Sequence, residues 1–354
     1  MNFLDYSLFI FIIINIIFIA NFNKINFFHY ILDKPDKTKK LHQKQMPLAG
    51  GIILIINISL YFIMANINEQ YLSTEIFFNS KFDLYVFIFT ALIIFCIGLF
   101  DDKYNLSPNY KFLFLFIVIF LALNFDDNLI ITTVKISFFD KTIYLKEFST
   151  LFTCFCFLIF LNAFNMFDGI NLQASIYSTI ILTFITIIYV NSLFIKILLI
   201  FLICYSFLNY KNKSFLGDNG SLLIAFLIGY IFIKLYNNDK IIFVDEVFIY
   251  MMIPGLDLIR LVFKRIINKK NPLRGDRNHL HHLISSKFSL FKSTIIIQFL
   301  IFLPLILLYL NIELIFIILT TICCYVLLIY KVKKYPKSLF CLLYTSDAAD
   351  EEDS

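Results

Sequence analysis

Long, nearly unbroken apolar runs dominate the chain, separated by short polar stretches. Eleven can be marked: about 3–22, 48–66, 83–100, 112–125, 148–165, 173–190, 193–210, 219–236, 244–263, 293–311 and 314–331. Strings such as LFIFIIINIIFIA and LIFIILTTICCYVLLIY do not show the polar face that a soluble amphipathic helix needs. As helices, apolar segments of about 17–25 residues match the thickness of a bilayer's hydrocarbon core. The pattern therefore predicts an all-α polytopic membrane protein with about eleven transmembrane helices. Run 112–125 is short for a crossing unless its helix reaches back through SPNYK. One stretch reads differently: NLIITTVKISFFDKTIYLKEF (128–148) alternates and is rich in β-branched residues, which predicts a small external β-hairpin turning near FFDKT.

Composition supports this reading. Of the 354 residues, 60% are hydrophobic, and the mean hydropathy of +0.83 excludes an ordinary soluble domain. Trp is absent, so Tyr must supply any interfacial aromatic belt. The seven cysteines form no CxxC spacing, and Cys154, Cys156, Cys204, Cys323 and Cys324 lie inside apolar runs as small core residues. The first run starts at residue 3 with no basic segment before it and no small-residue cleavage site after it, so it reads as a first helix and not a signal peptide. There is no internal repeat and no soluble domain. Residues 1–337 read as one integral-membrane domain. The small and acidic SLFCLLYTSDAADEEDS (338–354) reads as a disordered tail, or as an artefactual one resembling translated adaptor sequence.

The net charge of +5 matters through its placement. NKINFFHYILDKPDKTKKLHQKQ carries six lysines, and KRIINKKNPLRGDRNHLHHLISSKFSLFK carries eight basic residues against one acid. Both loops are expected in the cytoplasm by the positive-inside rule. With eleven alternating spans, the N-terminus is then outside and the C-terminus, after KVKKYPK, inside.

That topology puts five polar strings on one side, at the ends of different helices: KKLHQKQMPLAGG (39–51), GLFDDKYNLSP (98–108), NAFNMFDGINL (162–172), FLGDNGS (215–221) and the histidine loop. Asp101, Asp102, Asp168 and Asp218, flanked by Asn162, Asn165 and Asn219, are carboxylates that suit a hard, oxygen-seeking cation such as Mg²⁺, with Mn²⁺ as a substitute. Taken singly, each acid does no more than solvate a helix end; together they describe a site. Facing them are Lys39, Lys40, His42 and Lys44 in one loop, and Arg274, Arg277, His279, His281 and His282 in the other. Cations opposite a carboxylate–metal cluster are what phosphoryl transfer requires. The lysines also read as ordinary positive-inside flanks; the histidines do not, because His contributes little charge at neutral pH. Zinc is disfavoured: helical spacing puts 279 and 282 on one face and 281 on another, and HExxH is absent.

In order along the chain, DKPDKTKKLHQKQMPLAGG, GLFDDKYNLS, NAFNMFDGIN, LGDNGS and IPGLDLIRLVFKRIINKKNPLRGDRNHLHHL resemble the motifs of the polyprenyl-phosphate N-acetylhexosamine-1-phosphate transferases (glycosyltransferase family 4 type). The resemblance covers about Asp33 to Lys292. HLHH preceded by DRN is similar to the branch using UDP-N-acetylglucosamine and undecaprenyl phosphate. The peptidoglycan branch, which transfers phospho-N-acetylmuramoyl-pentapeptide, carries three consecutive histidines and is the alternative. The resemblance implies a phosphotransferase for substituted phosphate groups in the bacterial inner membrane, with its active site facing the cytoplasm. It would catalyse the first membrane step of a cell-surface polysaccharide of O-antigen, common-antigen or teichoic-acid type. Undecaprenyl phosphate would attack the β-phosphorus of a UDP-N-acetylhexosamine, giving lipid-diphosphate sugar and UMP. In that reading Asp101 or Asp102 deprotonates or positions the lipid phosphate, Asp218 binds Mg²⁺, and Asp168 sits near metal or nucleotide. Lys39, His42, Lys44, Asn162, Asn165, Asn171, Arg274, Arg277, His279, His281 and His282 bind substrate. The bilayer is the other partner; nucleic acid is not expected, and a homodimer is left open. One departure stands out. The family's usual DGxDGL reads Asp168-Gly169-Ile170-Asn171-Leu172 here, so an amide replaces the second carboxylate and brings no charge to a metal.

The rival class is a transporter or lipid-carrier flippase, which would place ionisable residues in mid-span. The span centres here are almost uncharged. Asp257 is the nearest exception, and it lies one helical turn from Arg260, spacing that suits a local ion pair.

Overall fold

A computed structural model describes residues 3–29, 31–33, 45–68, 70–73, 75–269 and 278–334. Lys39, His42, Lys44, Arg274, Arg277 and the tail at 338–354 lie outside these residues. The helices are α1 (Phe3–Ala20), α2 (Gly50–Ile67), the single turn α3 (Gln70–Ser73), α4 (Lys81–Tyr104), α5 (Pro108–Phe125), α6 (Ser149–Phe167), α7 (Gln173–Ile188), α8 (Leu193–Tyr210), α9 (Gly217–Asn237), α10 (Val244–Ile267), the short α11 (Leu280–Ser285), α12 (Leu290–Tyr309) and α13 (Leu314–Lys334).

Each of the eleven apolar runs forms a helix. Among the described residues, eight helices are long and apolar enough to cross a membrane, α7 is apolar but shorter, and α1 is apolar over Tyr6–Ala20. α10 falls outside the eight because Asp245, Glu246, Asp257, Arg260, Lys264 and Arg265 interrupt its apolar surface. The chain is a multi-pass membrane protein. Apolar side chains cover its outer surface: Phe89 and Phe299 are each 64% exposed, which hydrocarbon solvates at no cost.

The short run at 112–125 does extend back through SPNYK. Pro108 occupies the first helical turn of α5, where its missing N–H is not needed, and the Ser107 hydroxyl accepts from the Tyr110 amide at 3.5 Å. α9 forms the axis of the bundle and is buried along its apolar length, with α2, α4 and α6 packed around it. Aromatic rings fill the interface: Phe87 meets Tyr230 at 4.8 Å and Phe194 at 5.5 Å between centroids. At the far end of α9, Lys234 pairs with Asp126 at 2.7 Å, both side chains almost fully enclosed.

The hairpin expected at 128–148 is present. The short strands β1 (Leu32–Asp33) and β2 (Met46–Pro47) pair first, then β3 (Thr133–Ile136) with β4 (Phe139–Tyr144), both antiparallel. Its turn falls at Ser137–Phe138, earlier than FFDKT, and Phe139–Thr142 belong to the second strand. The cause is an anchor distant in sequence. Asp245 Oδ1 accepts from the Ser137 amide at 3.1 Å and Oδ2 from its hydroxyl, which fixes the reversal there.

Candidate active site

The site is assembled where α4 and α6 end and α5 and α9 begin. α9 has an unusual start. Gly217 has φ +73°, and a Cβ on it would stand 2.8 Å from Asp102 Oδ2, so only glycine fits this entry to the helix. The first amides of a helix have no partners within it. Here Asp102, from α4, supplies one: Oδ1 accepts from the Asp218 amide at 2.8 Å, and Oδ2 from the Asn219 amide at 3.0 Å and from the Asn219 side-chain amide. Its negative charge also lies against the positive end of the helix dipole. Asp102 is thus an inter-helix cap.

Asp101, its neighbour, turns elsewhere. Oδ1 accepts from the Leu106 amide at 2.8 Å, and Oδ2 meets Lys111 Nζ at 2.7 Å. Lys111 comes from the first turn of α5 and is buried. Its ammonium lies 2.7 Å from Asp218 Oδ2 and 3.2 Å from Asn165 Oδ1 as well. Asn165, from α6, donates through Nδ2 to Asp218 Oδ1 at 2.8 Å and to Ser221 Oγ at 2.7 Å. Four helices therefore contribute to one ionic knot, in which Asp101 and Asp218 share the ammonium of Lys111 while Asp102 holds the start of α9.

The fifth motif docks against the same helix end. The Pro47 carbonyl accepts from the Phe215 amide at 2.9 Å, and the Leu48 carbonyl from the Asn219 side chain at 3.3 Å. The histidine loop packs against the loop that follows α6. A Cβ on Gly169 would stand 2.0 Å from His281 Nε2, so glycine beside Asp168 lets the imidazole approach the backbone directly. The His279 and His281 rings are parallel, 5.7 Å apart and 8° from coplanar orientation, and His281 and His282 centroids are 4.2 Å apart.

The histidines differ from their helical-spacing expectation. His279 caps α11 in extended conformation, so it does not share a helical face with His282. His279 is held at Nδ1 by Asp257, 3.0 Å away. His281 is 2% exposed, with no hydrogen-bond partner for Nδ1 among the described residues. Burial, with His282 and His279 adjoining, holds its pKa well below the usual 6.5. Asp168 is half-buried, and burial together with the Asp218 charge pushes its carboxyl up to about 7.

The asparagines separate into three roles. Asn165 belongs to the knot. Asn162 donates to the Leu158 carbonyl of its own helix at 2.7 Å. Asn171 donates through Nδ2 to Asn212 Oδ1 at 2.5 Å and the Asn209 carbonyl at 3.3 Å, tying the loop after α6 to the end of α8. Its two partners are both oxygens, and an amide can donate to them where a carboxylate cannot. Sequence reading missed Lys111 and Ser221. A lone lysine heading an apolar run reads as a snorkelling flank; its burial between two acids appears only in three dimensions.

Among the described residues, no three His, Cys, Asp or Glu side chains stand in metal-binding arrangement. The donor set nonetheless fits Mg²⁺. Two carboxylates and an amide oxygen already converge on one cation at Lys111, and Mg²⁺ commonly takes one or two carboxylates and completes its shell with substrate phosphate and water.

Ionic side chains from several helix ends thus meet at one face of the bundle. Comparison with known proteins points to a transferase. Residues 84–236 match the model of glycosyl transferase family 4. It is 26% identical over 264 residues to the "Probable undecaprenyl-phosphate N-acetylglucosaminyl 1-phosphate transferase" of Bacillus subtilis, covering 71% of this chain and 68% of the relative. It is 28% identical over 267 residues to the undecaprenyl-phosphate alpha-N-acetylglucosaminyl 1-phosphate transferase of Yersinia pestis, covering 72% and 69%. With the enzyme of that name from Thermotoga maritima it shares 26% over 269 residues, covering 75% and 77%.

Proposed function

We propose that this transferase moves N-acetylglucosamine-1-phosphate from UDP-N-acetylglucosamine to undecaprenyl phosphate, as the first membrane step of a cell-surface polysaccharide. The observation that carries this reading is the knot of Asp101, Lys111, Asn165 and Asp218 beside the Asp168–Gly169–His281 contact. The first group suits phosphate handling and the second suits a nucleotide sugar. The names of the relatives supply the lipid and the sugar.

A lipid phosphate oxygen attacks the β-phosphorus; the bond from that phosphorus to the oxygen of UMP breaks, and UMP leaves. Asp218 and Asp101, with Asp168, would hold Mg²⁺, which when bound supplies charge neutralisation at the phosphates. Lys111 sits between Asp101 and Asp218 and would hold phosphate charge while keeping the two carboxylates from repelling each other. Asp101, held on one oxygen by the Leu106 amide, pairs through the other with Lys111, and the two together would receive the lipid phosphate end. An open apolar groove of about 440 Å³, lined by Asn109, Phe112, Leu113, Phe116 and Phe155, starts next to Lys111 on α5 and suits a polyprenyl chain. The two lysine-rich loops favour a cytoplasmic site.

The test supplies membranes carrying the protein with undecaprenyl phosphate, Mg²⁺ and a panel of radiolabelled UDP-sugars. Label should appear in lipid with UDP-N-acetylglucosamine, with release of UMP, and disappear in excess EDTA. No labelled lipid from any UDP-amino sugar, with Mg²⁺ or Mn²⁺, overturns the reading.

A further inference from the structure

Beyond the segment matched to the family, one carboxylate gathers three helices. Asp257, buried on α10, accepts at Oδ1 from Arg260 Nη2 at 2.6 Å and from the Tyr325 hydroxyl of α13 at 3.0 Å. Its Oδ2 meets His279 Nδ1 at 3.0 Å, and the Leu280 amide at the start of α11 approaches both oxygens, at 3.1 and 3.2 Å. Arg260 extends the array: Nη2 also donates to the Asn278 carbonyl at 2.6 Å, and Nε to the Tyr325 hydroxyl at 3.0 Å. An ion pair one helical turn long needs none of the partners from α11 and α13.

The array has a chemical consequence. A carboxylate accepting from a guanidinium, a phenol and an amide has no proton to give, so the hydrogen in the His279 contact belongs to Nδ1. In the neutral ring Nε2 then becomes the accepting atom, and it has no protein partner among the described residues. The His279 ring lies parallel to His281, which abuts Gly169 beside Asp168. The position of Asp257 therefore sets where both imidazoles stand in the site.

Resting on the nucleotide-sugar reading above, we propose that Asp257 is a positioning residue: braced by Arg260 and Tyr325, it fixes the His279 tautomer so that Nε2 accepts from a hydroxyl or amide of the sugar nucleotide. Asp257→Asn keeps the shape but places an amide donor against Nδ1, reversing the tautomer. A group that merely stabilised the fold would affect both substrates alike.

The experiment uses the purified full chain, with calorimetric Kd for UDP-N-acetylglucosamine and KM for each substrate, in wild type, Asp257→Asn, His279→Ala and the double variant. Asp257→Asn should weaken UDP-N-acetylglucosamine about tenfold, the scale of one lost hydrogen bond. It should leave the undecaprenyl phosphate KM unchanged and add nothing once His279 is alanine. An unchanged nucleotide Kd, or the same loss with and without His279, overturns the proposal. If Asp257→Asn does not fold, Tyr325→Phe removes one brace: weaker nucleotide binding that vanishes in the His279→Ala background supports the proposal, and no change refutes it. A wild-type chain that binds no UDP-N-acetylglucosamine would instead sink the functional reading itself.

Discussion

Asp101 and Asp102 are adjacent in sequence and hold different positions. Residues one apart on a helix point about 100° apart, so one carboxylate caps α9 while the other faces Lys111. Asp101→Asn should therefore abolish turnover with little change in melting temperature. Asp102→Asn should lower the melting temperature, losing charge-assisted bonds worth about 1.5–3 kcal/mol, with turnover falling as a result. Thermal unfolding and the labelled-lipid assay together separate the two; equally harmless substitutions would contradict both assignments. Asn171 allows a sharper test, because the family's usual residue there is the one this structure disfavours. Asn171→Asp would set a carboxylate against the oxygens of Asn212 and Asn209, costing about 1–3 kcal/mol and loosening the end of α8. A variant as stable as wild type would show that the Asn212 contact does not matter. His281 predicts a pH effect. Its folded pKa lies well below 6.5 because the ring is buried, so below that value the unfolded chain takes up a proton that the folded chain refuses. Stability is then fully present above pH 6.5 and is lost as pH falls below it. Melting temperature should drop from pH 7 to pH 5, and less steeply in His281→Gln; parallel slopes would remove His281 as the cause.

At the scale of elements, close approach does what ionic pairing does at the scale of residues. Gly169→Ala places a methyl group 2.0 Å from the His281 ring, and that ring cannot retreat easily because it is buried against His279 and His282. The histidine segment should be displaced at a cost of about 1–3 kcal/mol, raising the KM for the nucleotide sugar at least several-fold while the lipid KM holds. An unchanged nucleotide KM would show that the histidine segment does not serve that substrate. These elements were unequally legible in the sequence. All eleven helices were, because unbroken apolar runs carry their own boundary signal, and so were the acid-bearing motifs, since Asp at a helix end in an apolar chain is conspicuous. Lys111 was not, because a terminal lysine looks the same whether it reaches into water or between two carboxylates. Tyr325 was not, because its partner Asp257 lies 68 positions earlier. The hairpin was found but its turn was misplaced, since Asp245 fixes Ser137 from more than one hundred residues away. Local pattern determines elements; long-range polar contacts determine their register and roles.

Over the whole molecule, α9 links two polar ends. Asp218 and the ionic knot lie at its start, and the Lys234–Asp126 pair and the β3–β4 hairpin lie near its finish. Its 21 residues, at about 1.5 Å each, separate those ends by about the thickness of the hydrocarbon core. On the proposed topology, in which the lysine-rich loops are cytoplasmic, the knot lies on the cytoplasmic side and the hairpin on the other. Two exposed positions read the orientation: Lys211, where α8 ends beside the site, and Lys146, after the hairpin. With the seven native cysteines replaced, Lys211→Cys should resist an impermeant thiol reagent added to intact cells and react once the cells are permeabilised, while Lys146→Cys reacts from outside. The reverse pattern would place the site on the outer face, away from cytoplasmic UDP-sugars, and the proposed reaction would fall with it. The same chemistry at both positions from outside would mean that α9 does not cross.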